Sequence, residues 1–125
     1  MAQAAAYIYS FFIILIFIFH IGLIIGLPWG QITMGGQDIG PLPKKKRIVA
    51  FVALFLLTFF LFNVLSQSGL MFKQWQNITD KTIWIVVALN TLTLIGNIIT
   101  KSKWERRIWA PVAAIMLVCV VYVAG

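Results

Sequence analysis

The sequence predicts an all-α membrane protein, a four-transmembrane-helix bundle with both termini outside, and three observations predict it. Hydrophobic residues make up 62% of the 125 and charged residues only 10%, whereas soluble domains average ~45–50% apolar and ~25% charged. The charges stand in clusters and leave four uncharged stretches, residues 1–37, 48–72, 82–100 and 108–125. Each is close to or longer than the ~20 residues that cross a hydrocarbon core. The third observation is an unequal division of Lys and Arg between the loops, which sets the orientation. The same arithmetic excludes a soluble enzyme, a disulfide-built secreted domain and a disordered tail.

The spans fall at residues 5–27, 48–66, 82–100 and 108–124, forming one domain over the whole chain. Helices are required because backbone groups in lipid must be satisfied within the segment. A barrel would show alternating segments of ~10 residues, and none occur. The first span has no Lys or Arg before Lys44 and a long apolar run. It is therefore expected to remain in the mature protein, not to act as a cleaved signal peptide.

A net charge of +7 could suggest nucleic acid, but all ten basic residues lie outside the spans. A charge at the bilayer centre costs ~2.5–3.5 kcal/mol on insertion scales, which explains that placement without a nucleic-acid partner. The lipid bilayer is the expected partner, together with a second copy or a larger membrane protein. Lys44, Lys45, Lys46 and Arg47 lie in the first loop and Lys101, Lys103, Arg106 and Arg107 in the third, against only Lys73 and Lys81 in the second. Eight against two places loops one and three in the cytoplasm. Trp29, Trp75, Trp84, Trp104 and Trp109 all fall near span ends, as an aromatic belt does.

Loop one is the least generic stretch, with Pro28-Trp29-Gly30, Gly35-Gly36 and Gly40-Pro41-Leu42-Pro43 ahead of the basic run. Glycine and proline at this density specify turns. A structured cap is one outcome; a surface loop lying on the lipid headgroups is the plainer one and is preferred. The run Lys44, Lys45, Lys46 and Arg47 is a candidate contact for anionic lipid, although its role in topology suffices to explain it. Glu105 is expected to pair with a neighbouring arginine in an exposed bond worth little.

Gly22 and Gly26 form a G-x-x-x-G in span one, and Ala110 and Ala114 give span four a similar seam. Small residues four apart let helices approach closely in lipid, here against neighbours in the same chain in preference to a dimer partner. In span three, Asn90, Thr93, Asn97 and Thr100 recur at helical spacing and share a face. Such a stripe should face the bundle interior, as hydrogen-bond glue or as a polar path. His20 is the only ionisable residue of the usual acid–base types inside a span. It should lie at the depth of Asn97, giving a contact or a shared polar pocket. No second ligand accompanies His20, so no metal, haem or other cofactor is expected. Cys119 reads as a small core hydrophobe.

These motifs carry a resemblance. Pro28-Trp29-Gly30, Gly35-Gly36, Gly40, Leu42-Pro43 and Arg47, with Trp104-Glu105-Arg106-Arg107-Ile108-Trp109-Ala110-Pro111, resemble small uncharacterised bacterial four-span inner-membrane proteins. Those have a glycine-rich Pro-Trp-Gly first loop and a Glu-Arg-Arg hairpin before the last span. The resemblance implies a four-helix architecture in a bacterial inner membrane, and brings no activity. Small multidrug transporters fit less well, since they need a glutamate that span one lacks. Fluoride channels insert in both orientations, which the basic bias opposes. The expectation is a structural or accessory membrane subunit; a small oligomeric channel or carrier is the alternative. An enzyme is not expected, because Asp38, Asp80 and Glu105 all lie in loops.

Overall fold

A computed structural model describes residues 2–125. Its elements are α1 (Ala2–Ile25), α2 (Lys44–Ser68), α3 (Gln76–Ile99) and α4 (Ala110–Ala124), and among the described residues there is no strand. The four helical segments are long and apolar enough to span a membrane. They run past the uncharged spans: α2 begins in its lysines, and α3 carries Asp80 and Lys81 in its second turn. Charge limits what sits in hydrocarbon, while the helix itself continues into the interface.

The helices form a ring in which α1 packs on α2 and α4, and α3 packs on α4 and α2, with α2 and α4 closer across the diagonal. The buried positions step by three and four: Ala6, Tyr9 and Ile13 in α1; Thr79, Ile83, Val86 and Asn90 in α3; Ala113, Met116, Val120 and Val123 in α4. That stepping brings each helix's interior residues onto one face. The outward faces are equally apolar, with Ile14, Ile25, Phe55 and Val118 all exposed, as a lipid-facing surface requires.

The end where α1 and α3 finish and α2 and α4 begin carries loops one and three, and is here the cap end. At the other end a left-handed Gly69 stops α2. A polar ladder then ties α2 to α3. Thr82 donates to Asn63 Oδ1, the Ser66 and Thr79 hydroxyls bond each other at 2.9 Å, and Gln76 Nε2 donates to the Ser66 carbonyl at 2.8 Å. This ladder holds the helix pair where the turn alone would leave polar side chains unpaired.

Candidate functional site

Loop one is a folded cap, not a loop lying loose on the headgroups. It makes two short 3₁₀ turns, Gly30–Ile32 and Met34–Gly36, with Gly35 and Gly36 in left-handed conformations that glycine adopts without a Cβ penalty. Gly30 N–H donates to Gly40 O at 2.8 Å and closes the loop on itself. Three bonds then dock it on loop three and the start of α4. Ser102 Oγ donates to Gln31 O at 2.7 Å, Trp109 Nε1 donates to Ile32 O at 3.0 Å, and Gly35 N–H donates to Glu105 Oε1 at 2.6 Å. Glu105 is thus buried and serves the cap. The expected exposed pair with arginine does not form among the described residues: Arg106 and Arg107 are exposed, and Arg106 Nη1 donates to Thr100 O at 3.0 Å. Residues Glu105–Trp109 form a π-helical turn ahead of Pro111, a widened geometry that accommodates a proline lacking its N–H.

Apolar groups anchor the cap from beneath. Leu42 and Leu23 are fully buried with Ala50, and Trp29 and Met34 pack against them. Trp29 stacks on Phe19 with ring centroids 5.4 Å apart, and Phe19 in turn meets Trp109 at 4.9 Å. Two of the five tryptophans therefore turn inward, while Trp75, Trp84 and Trp104 remain exposed as belt residues. The basic run is divided as well. Lys46 pairs with Asp38, and Arg47 Nε donates to Leu42 O at 2.8 Å. Only Lys44 and Lys45 stay exposed, which narrows the four-residue lipid contact to two free charges.

The glycine seam has a different physical meaning from the one the spacing suggested. A Cβ at Gly22 would lie 2.1 Å from the Trp29 ring, so this glycine admits the cap's own tryptophan. Gly26 is no seam residue. Its φ is +96° where α1 ends, and the Arg47 guanidinium lies against it. In α4 the buried alanine is Ala113, with Ala110 and Ala114 only half-buried, so that seam does not form.

Behind the cap lies a cavity of about 250 Å³ lined by all four helices and by Thr33 of the cap. Its polar side chains are His20, Thr33, Asn90, Thr93, Asn97 and Trp109. Sequence spacing therefore brings His20, Asn90, Thr93 and Asn97 to one cavity. No direct bond joins His20 to Asn97; His20 Nδ1–H donates to Ile16 O at 2.8 Å. Thr100 belongs to the turn after α3, where its hydroxyl accepts from Ser102 N–H. Asn90 finds its partner on α1, accepting from the Tyr9 hydroxyl at 3.1 Å.

Tyr9, Asn63, Ser66 and Thr79 are buried polar residues that the sequence did not single out. Asn63, Ser66 and Gln67 before the second loop mirror Gln76, Thr79 and Thr82 after it, and that near-symmetry about Phe72 is a readable signal. For Tyr9 the signal is weaker, a hydroxyl within an apolar run. Tyr9→Phe should lower stability by ~0.6 and at most ~1.7 kcal/mol, since Asn90 then loses its partner on another helix. Unfolding in detergent measures this. A variant as stable as the parent would mean that the bond contributes nothing.

Together these features define a multi-pass, all-helical membrane protein with a capped, largely apolar cavity that carries a few polar side chains. Comparison of the chain with family models, curated proteins and solved structures finds no match.

Proposed function

We propose that the chain is an accessory subunit of a membrane assembly, working by recognition and not by chemistry. In this reading it sits in a bacterial inner membrane with both termini outside and the cap in the cytoplasm. The observation that carries the reading is the cap itself, a loop held by Glu105, Ser102 and Trp109 that nevertheless leaves Ile39 88% exposed. Fixing a loop costs conformational entropy that a mere connection has no need to lose. A fixed apolar side chain in a polar surround fits a pocket on a partner, either a second copy or a larger membrane protein. Orientation is supported by Lys44, Lys45, Lys101, Lys103, Arg106 and Arg107, which are all exposed at the cap end. The resemblance of the Pro-Trp-Gly loop and the Glu-Arg-Arg hairpin to bacterial four-span proteins supports the choice of membrane.

The test is the mass of the species extracted from native membranes in mild detergent. It is expected to exceed the 14.1 kDa chain, and Ile39→Glu should release a monomer with unchanged melting. A multiple of the chain mass would identify a second copy, and a larger increment another protein. A monomeric parent would overturn the proposal. Orientation is read from Ile39→Cys, which should react with an impermeant thiol reagent only once the cytoplasmic face is opened.

A small channel or carrier is the second reading, favoured by the cavity that His20 and Asn97 share. Against a path through one chain, the core beyond Asn90 is filled by Tyr9, Ile13, Val64, Val86 and Val120.

A further inference from the structure

Among the described residues, three polar groups on the cavity wall have no protein partner. Among the described residues, neither the Asn97 amide nor the Thr33 hydroxyl makes a side-chain hydrogen bond, although both line the cavity. His20 uses Nδ1–H on the Ile16 carbonyl, and a carbonyl only accepts. The proton is therefore on Nδ1, and Nε2 of the neutral ring is left as an acceptor. No fully buried side-chain polar atom lacks a partner among the described residues, so these three groups are accessible, and all three residues line the cavity. At membrane depth an unmet polar group costs several kcal/mol. Something that hydrogen-bonds is expected to meet them.

The cavity also states what kind of molecule that is. No Lys, Arg, Asp or Glu lines it, so a charged head would be left without a counter-charge. His20 Nε2 asks for a donor and the Asn97 amide supplies one, a pairing that a hydroxyl group satisfies with one atom. The other walls are apolar, among them Ile16, Phe19, Phe60 and Met116, and suit a hydrocarbon chain or ring. At ~30 Å³ for each water, the volume would hold about eight waters, most of them against apolar walls that offer no bond. Access is from the side. Leu56 on α2 and Thr93 on α3 both line the cavity and are exposed. The hydrogen bonds between α2 and α3 all lie near the second loop, away from this seam.

We propose that the cavity is a binding site for a neutral, hydroxyl-bearing membrane amphiphile, entering from the bilayer between α2 and α3 and placing its hydroxyl between His20 Nε2 and Asn97. This site is independent of the partner surface on the cap. Either can fail without the other.

The test is photolabelling of the full chain in nanodiscs with a long-chain alcohol carrying a diazirine near its head, followed by peptide mapping. Adducts are expected on Leu56, Phe60, Asn97 and Met116, at least tenfold above those on the outward Ile25 and Val118. Unlabelled hexadecanol should compete, whereas its methyl ether, which cannot donate, should compete about tenfold less well. The fatty acid in its ionised form should compete no better than the ether. His20→Leu should reduce cavity labelling about tenfold. His20→Gln, which keeps an acceptor on a similar stem, should retain most of it and guards against a folding artefact. Adducts spread evenly over the lipid-facing surface would overturn the site, leaving a cavity that holds only water. Equal competition by alcohol and ether would overturn the role of His20 and Asn97 in selecting a hydroxyl.

Discussion

Gly22→Leu is expected to destabilise the bundle by ~3 kcal/mol and to lower its melting temperature in detergent by roughly 10 °C. The new Cβ alone would fall 2.1 Å from the Trp29 ring and 2.7 Å from its neighbouring ring carbon, so even Gly22→Ala requires the indole to leave. The indole is not free to give way, because it lies flat on Phe19 with an interplanar angle of 5°. Displacing it gives up the stack, worth ~0.5–1.5 kcal/mol, and loosens the cluster of Leu23, Leu42 and Ala50 beneath the cap. The proper control is Ile25→Leu, at an exposed position on the same helix, which should change melting little. Leu23 is no control, since it is itself fully buried. Trp29→Ala in the Gly22→Leu background should recover part of the loss, because it removes the clash. Melting that is unchanged in Gly22→Leu would mean that Trp29 does not rest on α1.

The spans were legible because lipid dictates them: a helix that must satisfy its own backbone and carry no charge leaves a long uncharged run. Which face of each helix turns inward was not legible. Ile13 is buried and its neighbour Ile14 is exposed, yet no property of the two residues distinguishes them. In water the exterior would be polar and the period would stand out. In lipid the exterior is as apolar as the core, and only polar positions mark the inside. Asn90 and Asn97 did so and reach one cavity with His20, whereas Thr93 lines the same cavity from an exposed position.

The cap was only half legible. Glycine and proline announced turns, and the left-handed Gly35, Gly36 and Gly40 bear that out. What the turns pack against lies about seventy positions away in the chain, at Ser102, Glu105 and Trp109, beyond the reach of any local pattern. The neighbours of Glu105 in sequence pointed to an arginine pair, whereas its partner in space is a backbone N–H. Similarly, the spacing of Gly22 and Gly26 suggested helix against helix. The close approach is instead that of a side chain returning from the loop that follows.

Glu105→Ala should open the cap. Its carboxyl oxygen accepts the Gly35 N–H at 2.6 Å, and among the described residues that N–H has no other partner. Removing the acceptor leaves an N–H inside the folded loop without a partner, which costs ~1–3 kcal/mol. Two further bonds depend on the loop staying in place, Ser102 Oγ to Gln31 O and Trp109 Nε1 to Ile32 O. The cost should therefore spread across the cap end and leave the ladder at Ser66 and Thr79 intact. Glu105→Gln keeps a carbonyl oxygen on a side chain of the same length and should fall between Ala and the parent. Red-shifted tryptophan emission is the direct readout, because Trp29 and Trp109 would meet water while Trp75, Trp84 and Trp104 are exposed already. Melting in detergent should fall by roughly 5–10 °C in the alanine variant. If Glu105→Ala keeps both the emission and the melting of the parent, the Gly35 bond does not hold the cap. The rigid surface proposed to present Ile39 would then lose its basis.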